Sequence, residues 1–263
     1  MAGMNLETQD INLNQLKQPP IHILTQIQPH GVLLVLQEPD LRILQVSWNT
    51  SAAFGIAPEN ILGKTLDDIL DSFQVDRFRM GLSRENLDLI NPTKIWVRRK
   101  GDDYLVFDAV FHRSADGFLV LELEPTLTQE NIPFLSFYHL ARASINQLEA
   151  TSNLQDFGQI IVREVRKVTG FDRVMLYKFD EDGHGEVIAE EKLDDMEPYL
   201  GLHYPESDIP QPARKMFLSN WIRVIPNSRA ESVELYPNSN PITNQPIDLT
   251  LSILRSAYPC HVE

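Results

Sequence analysis

A chain of 263 residues has room for two ordinary domains, and its 43% hydrophobic and 23% charged content is that of a globular soluble protein. The formal net charge of −14 sets up a field that repels DNA and RNA, so no direct nucleic-acid partner is expected. The single cysteine excludes an internal disulfide framework and a cysteine-rich zinc site and fits a reducing cytoplasm; no basic start with an apolar run marks a secretory signal, and no apolar run is long enough to span a membrane.

In chain order, residues 1–20 read as a polar, loosely ordered N-terminal extension. Gly31 to Gln37 is a compact apolar strand, and Leu41 to Ser47 follows the turn-forming cluster Glu38-Pro39-Asp40. Asn49 or Thr50 caps a helical patch through Ala52, Ala53 and Phe54. Lys94 to Arg99, Tyr104 to His112 and Gly117 to Glu124 read as an antiparallel meander, turned by Gly101-Asp102-Asp103 and Ala115-Asp116-Gly117. Strands with short helices followed by a meander predict an α+β fold. Pro125 ends the meander, and Thr126 to Pro133 is the expected domain boundary, which gives a first domain over 21–128 and a second over 134–263.

The second domain opens on helical spacing of Leu135, Tyr138, Leu140, Ala141, Ile145 and Leu148. Ser152 with Gln155 reads as a capping box. An amphipathic helix through Leu154, Phe157, Ile160, Ile161, Val165 and Val168 then runs to Gly170, its C-cap. Phe171 to Phe179 and Glu186 to Glu191 form a hairpin around Asp180 to Gly185. Proline dominates from Pro198 to Pro246, with one short strand expected at Ile222 to Ile225; Pro226 to Pro246 is a long irregular segment of the kind that is functional or disordered.

Two segments carry the chemistry. Tyr199 to Arg214 reads Tyr-Leu-Gly-Leu-His-Tyr-Pro-Glu-Ser-Asp-Ile-Pro-Gln-Pro-Ala-Arg; Pro205, Pro210 and Pro212 argue against a regular helix or central strand. A rigid, apolar segment with a few polar groups suits the wall of a small-molecule pocket. Leu254 to His261 contains Arg255, Cys260 and His261. A lone cysteine is commonly an inert buried hydrophobe, whereas a thiolate favoured by a nearby arginine or imidazole is a nucleophile. A Cys260–His261 hydrolase dyad is the competing enzymatic reading, and neighbours on a helix diverge by about 100°, which disfavours it. Arg223 and Arg255 read equally as surface arginines or as carboxylate partners, and Tyr177 as pocket or core.

Both segments resemble phytochromes. Tyr199 to Arg214 is similar to the family's signature loop, and Leu254-Arg255-Ser256-Ala257-Tyr258-Pro259-Cys260-His261 to its bilin-attachment site. Ile27-Gln28-Pro29-His30-Gly31 resembles the opening of the phytochrome PAS domain, and the sequences from Phe171 to Tyr177 and Asp194 to Tyr199 match as well. The resemblance implies a PAS domain followed by a GAF domain, with a figure-eight knot in which the N-terminal segment passes through a lasso made by the long GAF loop. It implies a linear tetrapyrrole, phycocyanobilin or a related phytobilin, joined as a thioether to Cys260. His261 would contact the pigment, the Asp208 carbonyl would accept from its pyrrole N–H groups, and Arg223 and Arg255 would face its propionates. Tyr177, Tyr199, Tyr204, Ile209 and Pro210 would line the pocket. The implied whole is a red/far-red photoreceptor, continued by PHY and histidine kinase domains, and a homodimer.

Two departures qualify the resemblance. Relatives that attach biliverdin do so through a cysteine ahead of a Pro-Ile-His stretch; Leu16 holds the matching position here, which leaves the GAF cysteine as the attachment point. The chain also stops at Glu263, where the family continues, so a truncated GAF domain is expected. A PAS–GAF interaction module that binds no bilin, and a catalytic fragment of a signalling kinase, are the alternatives from other functional classes; the absence of a Gly-rich nucleotide loop argues against the second.

Overall fold

The computed structural model describes residues 25–83, 87, 90–98, 104–126, 134–149, 151–209, 211–220 and 222–257. They divide into two compact units: residues up to 126 together with those from 219 onward, and residues 127–218. The units part after Thr126, and the segment from Ser219 onward packs with the first unit.

The first unit is built on an antiparallel sheet of seven strands, in the order β1-β10-β3-β2-β6-β5-β4. The strands are β1 (Gln26–Ile27), β2 (Val32–Gln37), β3 (Arg42–Ser47), β4 (Thr93–Arg98), β5 (Tyr104–Arg113), β6 (Leu119–Pro125) and β10 (Val233–Tyr236). Side chains alternate across a strand, so the unbroken apolar run of β2 needs cover on both faces. It has it. Val32, Leu34 and Leu36 join Leu121, Leu123, Phe107 and Phe111 on one face. Leu33 and Val35 join Val120, Leu235, Ile247, Leu249 and Leu254 on the other. The first face is closed by α1 (Thr50–Phe54), α2 (Pro58–Ile61) and α3 (Ser72–Leu82), whose Phe54, Ile61, Val75 and Phe78 enter the core. Each such side chain contributes roughly 1.5–3 kcal/mol by burial. The second face is closed by residues from the C-terminal segment, so that segment is part of this core.

The second unit contains α4 (Phe134–Glu149), α5 (Leu154–Thr169), α6 (Gln211–Ser219) and an antiparallel sheet of β7 (Arg173–Phe179), β8 (Gly185–Lys192) and β9 (His203–Tyr204), in the order β7-β8-β9. Gly170 caps α5 at φ 71°, in the left-handed region expected of a C-cap glycine.

Several sequence expectations are corrected. Ile222 to Ile225 is not a strand; the Val224 carbonyl accepts from the Gln28 side chain at 2.9 Å, and the strand of this region is β10, inserted between β1 and β3. The segment Tyr199 to Arg214 does admit regular structure, since α6 starts at Gln211 with Pro212 in its first turn, where a missing N–H costs no helical bond. The cap of α5 is Asn153 rather than Ser152, accepting from the Asp156 N–H at 2.8 Å. Asn49 stands at the N-cap of α1, but its amide donates to the Gly31 and Pro29 carbonyls at 2.7 and 3.2 Å and caps nothing. On α5 the buried residues are Gly158, Val162 and Glu164, while Leu154, Phe157, Val165 and Val168 of the expected stripe are exposed. The turn at 101–103, the connector from 127 to 133 and the extension 1–20 lie outside the described residues. Among the described residues, no helix is long and apolar enough to cross a membrane.

Candidate functional site

In the second unit the hairpin and the proline-rich segment meet around Tyr177. Gly185 of β8 pairs with Phe179 on one side and Tyr204 on the other. A side chain at 185 would collide with the Tyr177 ring, so glycine there lets that ring lie over the strand. The Tyr177 ring then sits 5.0 Å from Phe179 and 6.0 Å from Tyr204, centroid to centroid. Burial first, then the charge of Asp208, pushes the Tyr177 phenol above its ordinary value, which keeps it neutral and able to donate. Asp208 lies in a turn, its N–H donating to the Pro205 carbonyl at 3.2 Å, and its side chain is exposed; Ile209 is half-buried.

Arg214 ties this corner together. Its guanidinium donates to the Gly183 carbonyl in the hairpin turn at 3.0 Å and to Glu206 at 2.6 Å, and lies 5.6 Å from the Phe179 ring. Tyr199 is held by other partners. Its N–H and that of Leu200 donate to the Glu190 carboxylate at 2.9 and 3.1 Å. Glu190 is nearly fully buried with Arg173 at 3.3 Å, and the Arg173 guanidinium stacks 3.8 Å over the Tyr199 ring. Thus Tyr177, Tyr204 and Asp208 come together, and Tyr199 is anchored through Arg173 and Glu190.

In the first unit the approach to Cys260 is fixed at nearly every backbone group. The Arg223 guanidinium donates to the carbonyls of Ile253 at 3.1 Å, of Ser256 at 2.9 Å, and of Arg255. The Gln28 N–H donates to the Leu254 carbonyl at 2.7 Å, and its side-chain amide donates to the Arg255 carbonyl at 3.2 Å. From the opposite side, Glu122 accepts from Ser252, Ile253 and Leu254. Burial, with only 7% of the residue exposed to water, and then the Arg223 charge lower the Arg255 guanidinium to about 10. Arg223 is lowered by burial as well, and His30 is lowered by burial and by Arg223. A buried Arg255 and a half-buried Arg223, mutually repelling beside one segment, fit a ligand that carries carboxylates, and a two-propionate pigment meets that requirement.

Cys260, His261 and Pro210, and the Leu16 position, lie outside the described residues. Sequence reasoning did not single out Glu122, Gln28, Arg173, Glu190 or Arg214. Glu122 sits in an apolar strand, Leu-Val-Leu-Glu-Leu-Glu-Pro, and a carboxylate on a face that must be buried was the available signal.

Comparison with known proteins agrees with this picture. A PAS-fold family model matches residues 16–126. Cyanobacterial phytochrome A of Nostoc sp. strain PCC 7120 is 69% identical over 260 residues, covering 99% of this chain and 34% of the relative. The phytochrome-like protein Cph1 of Synechocystis sp. strain PCC 6803 is 56% identical over 98% of this chain and 34% of its own length. The chain therefore spans about a third of the length of these curated relatives. The wild-type chromophore-binding domain of Stigmatella aurantiaca phytochrome P1 superimposes with a TM-score of 0.86 at 40% identity, over 93% of this chain and 80% of that structure. The mixed helix-and-sheet architecture is that of the phytochrome PAS–GAF region, and the chain belongs to the phytochrome family.

Proposed function

We propose that the chain is the bilin-holding photosensory part of a red/far-red photoreceptor, with phycocyanobilin or a related phytobilin as its pigment. The observation that carries this reading is the Arg223–Arg255 pair, Arg255 buried and Arg223 half-buried, against the segment that leads to Cys260. That pairing favours it over a PAS–GAF module that binds no bilin. Residues 1–20 are then an N-terminal extension, 21–128 a PAS domain and 134–263 GAF residues. Their knotting is supported by β1, which pairs with β10 and is bridged at Ile27 to Arg255, so the N-terminal strand lies against two stretches of the C-terminal segment.

The bound bilin supplies visible absorption and a double bond that isomerises in light. Cys260 would hold the pigment by adding its sulfur across an electron-poor double bond, with the thiol proton going to the neighbouring carbon, so that the addition would need no oxidant and release no leaving group. Arg223 and Arg255 bind the two propionates as charge-assisted pairs. The Asp208 carbonyl would accept from pyrrole N–H groups, His261 would orient the inner nitrogens, and Tyr177, Tyr199, Tyr204, Ile209 and Pro210 would exclude water. Output passes to PHY and histidine kinase domains of a longer, homodimeric, cytoplasmic protein; this chain itself carries no catalytic role.

The test is co-production with a phycocyanobilin pathway. The denatured chain is expected to keep its pigment, and Cys260→Ala to lose it. Covalent pigment on the alanine variant, or none on the parent, would overturn the reading.

A further inference from the structure

We propose that Glu122 of β6 is a positioning residue for the attachment segment, acting as the backbone clamp that sets where Arg255 and the residues after it stand. Glu122 is 1% exposed, on the sheet face otherwise closed by Leu33, Val35, Val120 and Leu254. A carboxylate there is costly unless fully bonded. Its bonds go to one place. Oε2 accepts from the Ser252 hydroxyl at 2.6 Å and the Leu254 N–H at 2.7 Å, and Oε1 accepts from the Ile253 N–H at 3.0 Å. Three donors from three successive residues make this an anion nest formed by the segment itself.

Arg223 and Gln28 hold the carbonyls of the same stretch, and the Ser256 N–H donates to the Gln26 carbonyl at 2.9 Å. The N–H groups of 253 and 254 are therefore the share that Glu122 alone holds. The charged and titratable groups facing it are His112, with Nδ1 3.3 Å from Oε1, the cations Arg223 and Arg255, His30, and the like-charged Glu124. Such a carboxylate is a poor choice for stability alone, because a packed apolar side chain commonly does as well; fixing one geometry is the use that justifies it. Glu122 is 138 residues upstream of Cys260, so the first unit's sheet, rather than the hairpin unit, sets the start of the attachment segment.

The attachment arm of the test rests on the bilin reading; the exchange arm does not. Glu122→Gln keeps shape and one acceptor, but turns an NH2 group toward backbone donors. Amide hydrogen exchange at Ile253 and Leu254 is expected to rise at least tenfold, while Leu121 and Phe111 of the sheet keep their protection. With phycocyanobilin added to the apoprotein, rapid non-covalent uptake is expected to persist and covalent attachment to slow about tenfold, a split that a merely structural defect does not give. Ser252→Ala, which leaves the carboxylate in place, is expected to shift both readouts in the same direction by a smaller factor, so the inference stands or falls on it if the glutamine variant unfolds. Parent-like exchange at Ile253 and Leu254, or parent-like attachment with raised exchange, overturns it. No covalent pigment on the parent chain overturns the bilin reading instead, and leaves the exchange result to decide the clamp.

Discussion

The ring of Tyr177 lies over the α-carbon of Gly185, closely enough that no side chain fits between them. Gly185→Ala therefore must push the ring away or part β7 from β8. Overpacking of this kind costs about 1–3 kcal/mol. We expect that loss in denaturant unfolding of the second unit, together with a changed Tyr177 environment in near-ultraviolet circular dichroism. In a Tyr177→Leu background the same substitution should cost less than half as much, because the clashing atoms are gone. An equal cost in both backgrounds would show that the ring is not the obstacle.

Glu190 is the buried counterpart of Glu122 in the second unit, joining Arg173 to the backbone of Tyr199 and Leu200. Glu190→Ala removes two charge-assisted acceptors and leaves Arg173 without its carboxylate. Breaking a buried pair from one side costs about 3–5 kcal/mol. The expected outcome is a fall of that size in unfolding free energy and fast exchange at Tyr199 and Leu200. Glu190→Gln, which can still accept from one N–H, should lose about half as much. A loss below about 1 kcal/mol for alanine would mean that solvent replaces the carboxylate freely.

The helix cap is a simple contest between adjacent residues. Asn153 accepts from the Asp156 N–H at 2.8 Å and donates its amide to the Asp156 carboxylate at 2.7 Å. Asn153→Ala should cost about 0.5–2 kcal/mol, and Ser152→Ala almost nothing. The reverse order in thermal unfolding would restore the capping box on Ser152.

These outcomes also show what the sequence makes legible. Strands with strong patterns, such as Tyr104–Arg113 and Arg173–Phe179, are readable to within two residues, because alternation and turn residues are local signals. The left-handed cap at Gly170 is local too. By contrast β10 is a strand only because β1 and β3 flank it; its four residues between Ser232 and Pro237 carry no pattern of their own. The unbroken apolar run of β2 did announce a sheet covered on both faces, but not that residues 247–254 supply one cover. Likewise Arg223 and Arg255 were named from the resemblance, whereas the residues that hold the backbone beside them, Glu122 at 252–254 and Gln28 at Val224 and Arg255, depend on contacts more than 100 positions apart.

Arg255 offers a pH-linked test. Its folded value of about 10 lies below that of an ordinary guanidinium, so the unfolded chain holds this proton more tightly than the folded one. Stability from this group is therefore lowest at neutral pH, where the penalty is fully present, and improves only as pH rises through about 10 toward the ordinary guanidinium value. Arg255→Met removes the penalty, so the apoprotein is expected to unfold at a denaturant concentration no lower than the parent at pH 7. Binding should move the other way. A pigment carboxylate at Arg255 offsets the same penalty, so the parent should take up phycocyanobilin at least tenfold more tightly than its dimethyl ester, a difference of about 1.4 kcal/mol or more. The methionine variant should lose much of that preference, with Arg223 keeping the remainder. Uptake titrations of both pigments on both proteins decide it: a parent that does not distinguish acid from ester would show that the guanidinium pair serves the fold and not the ligand.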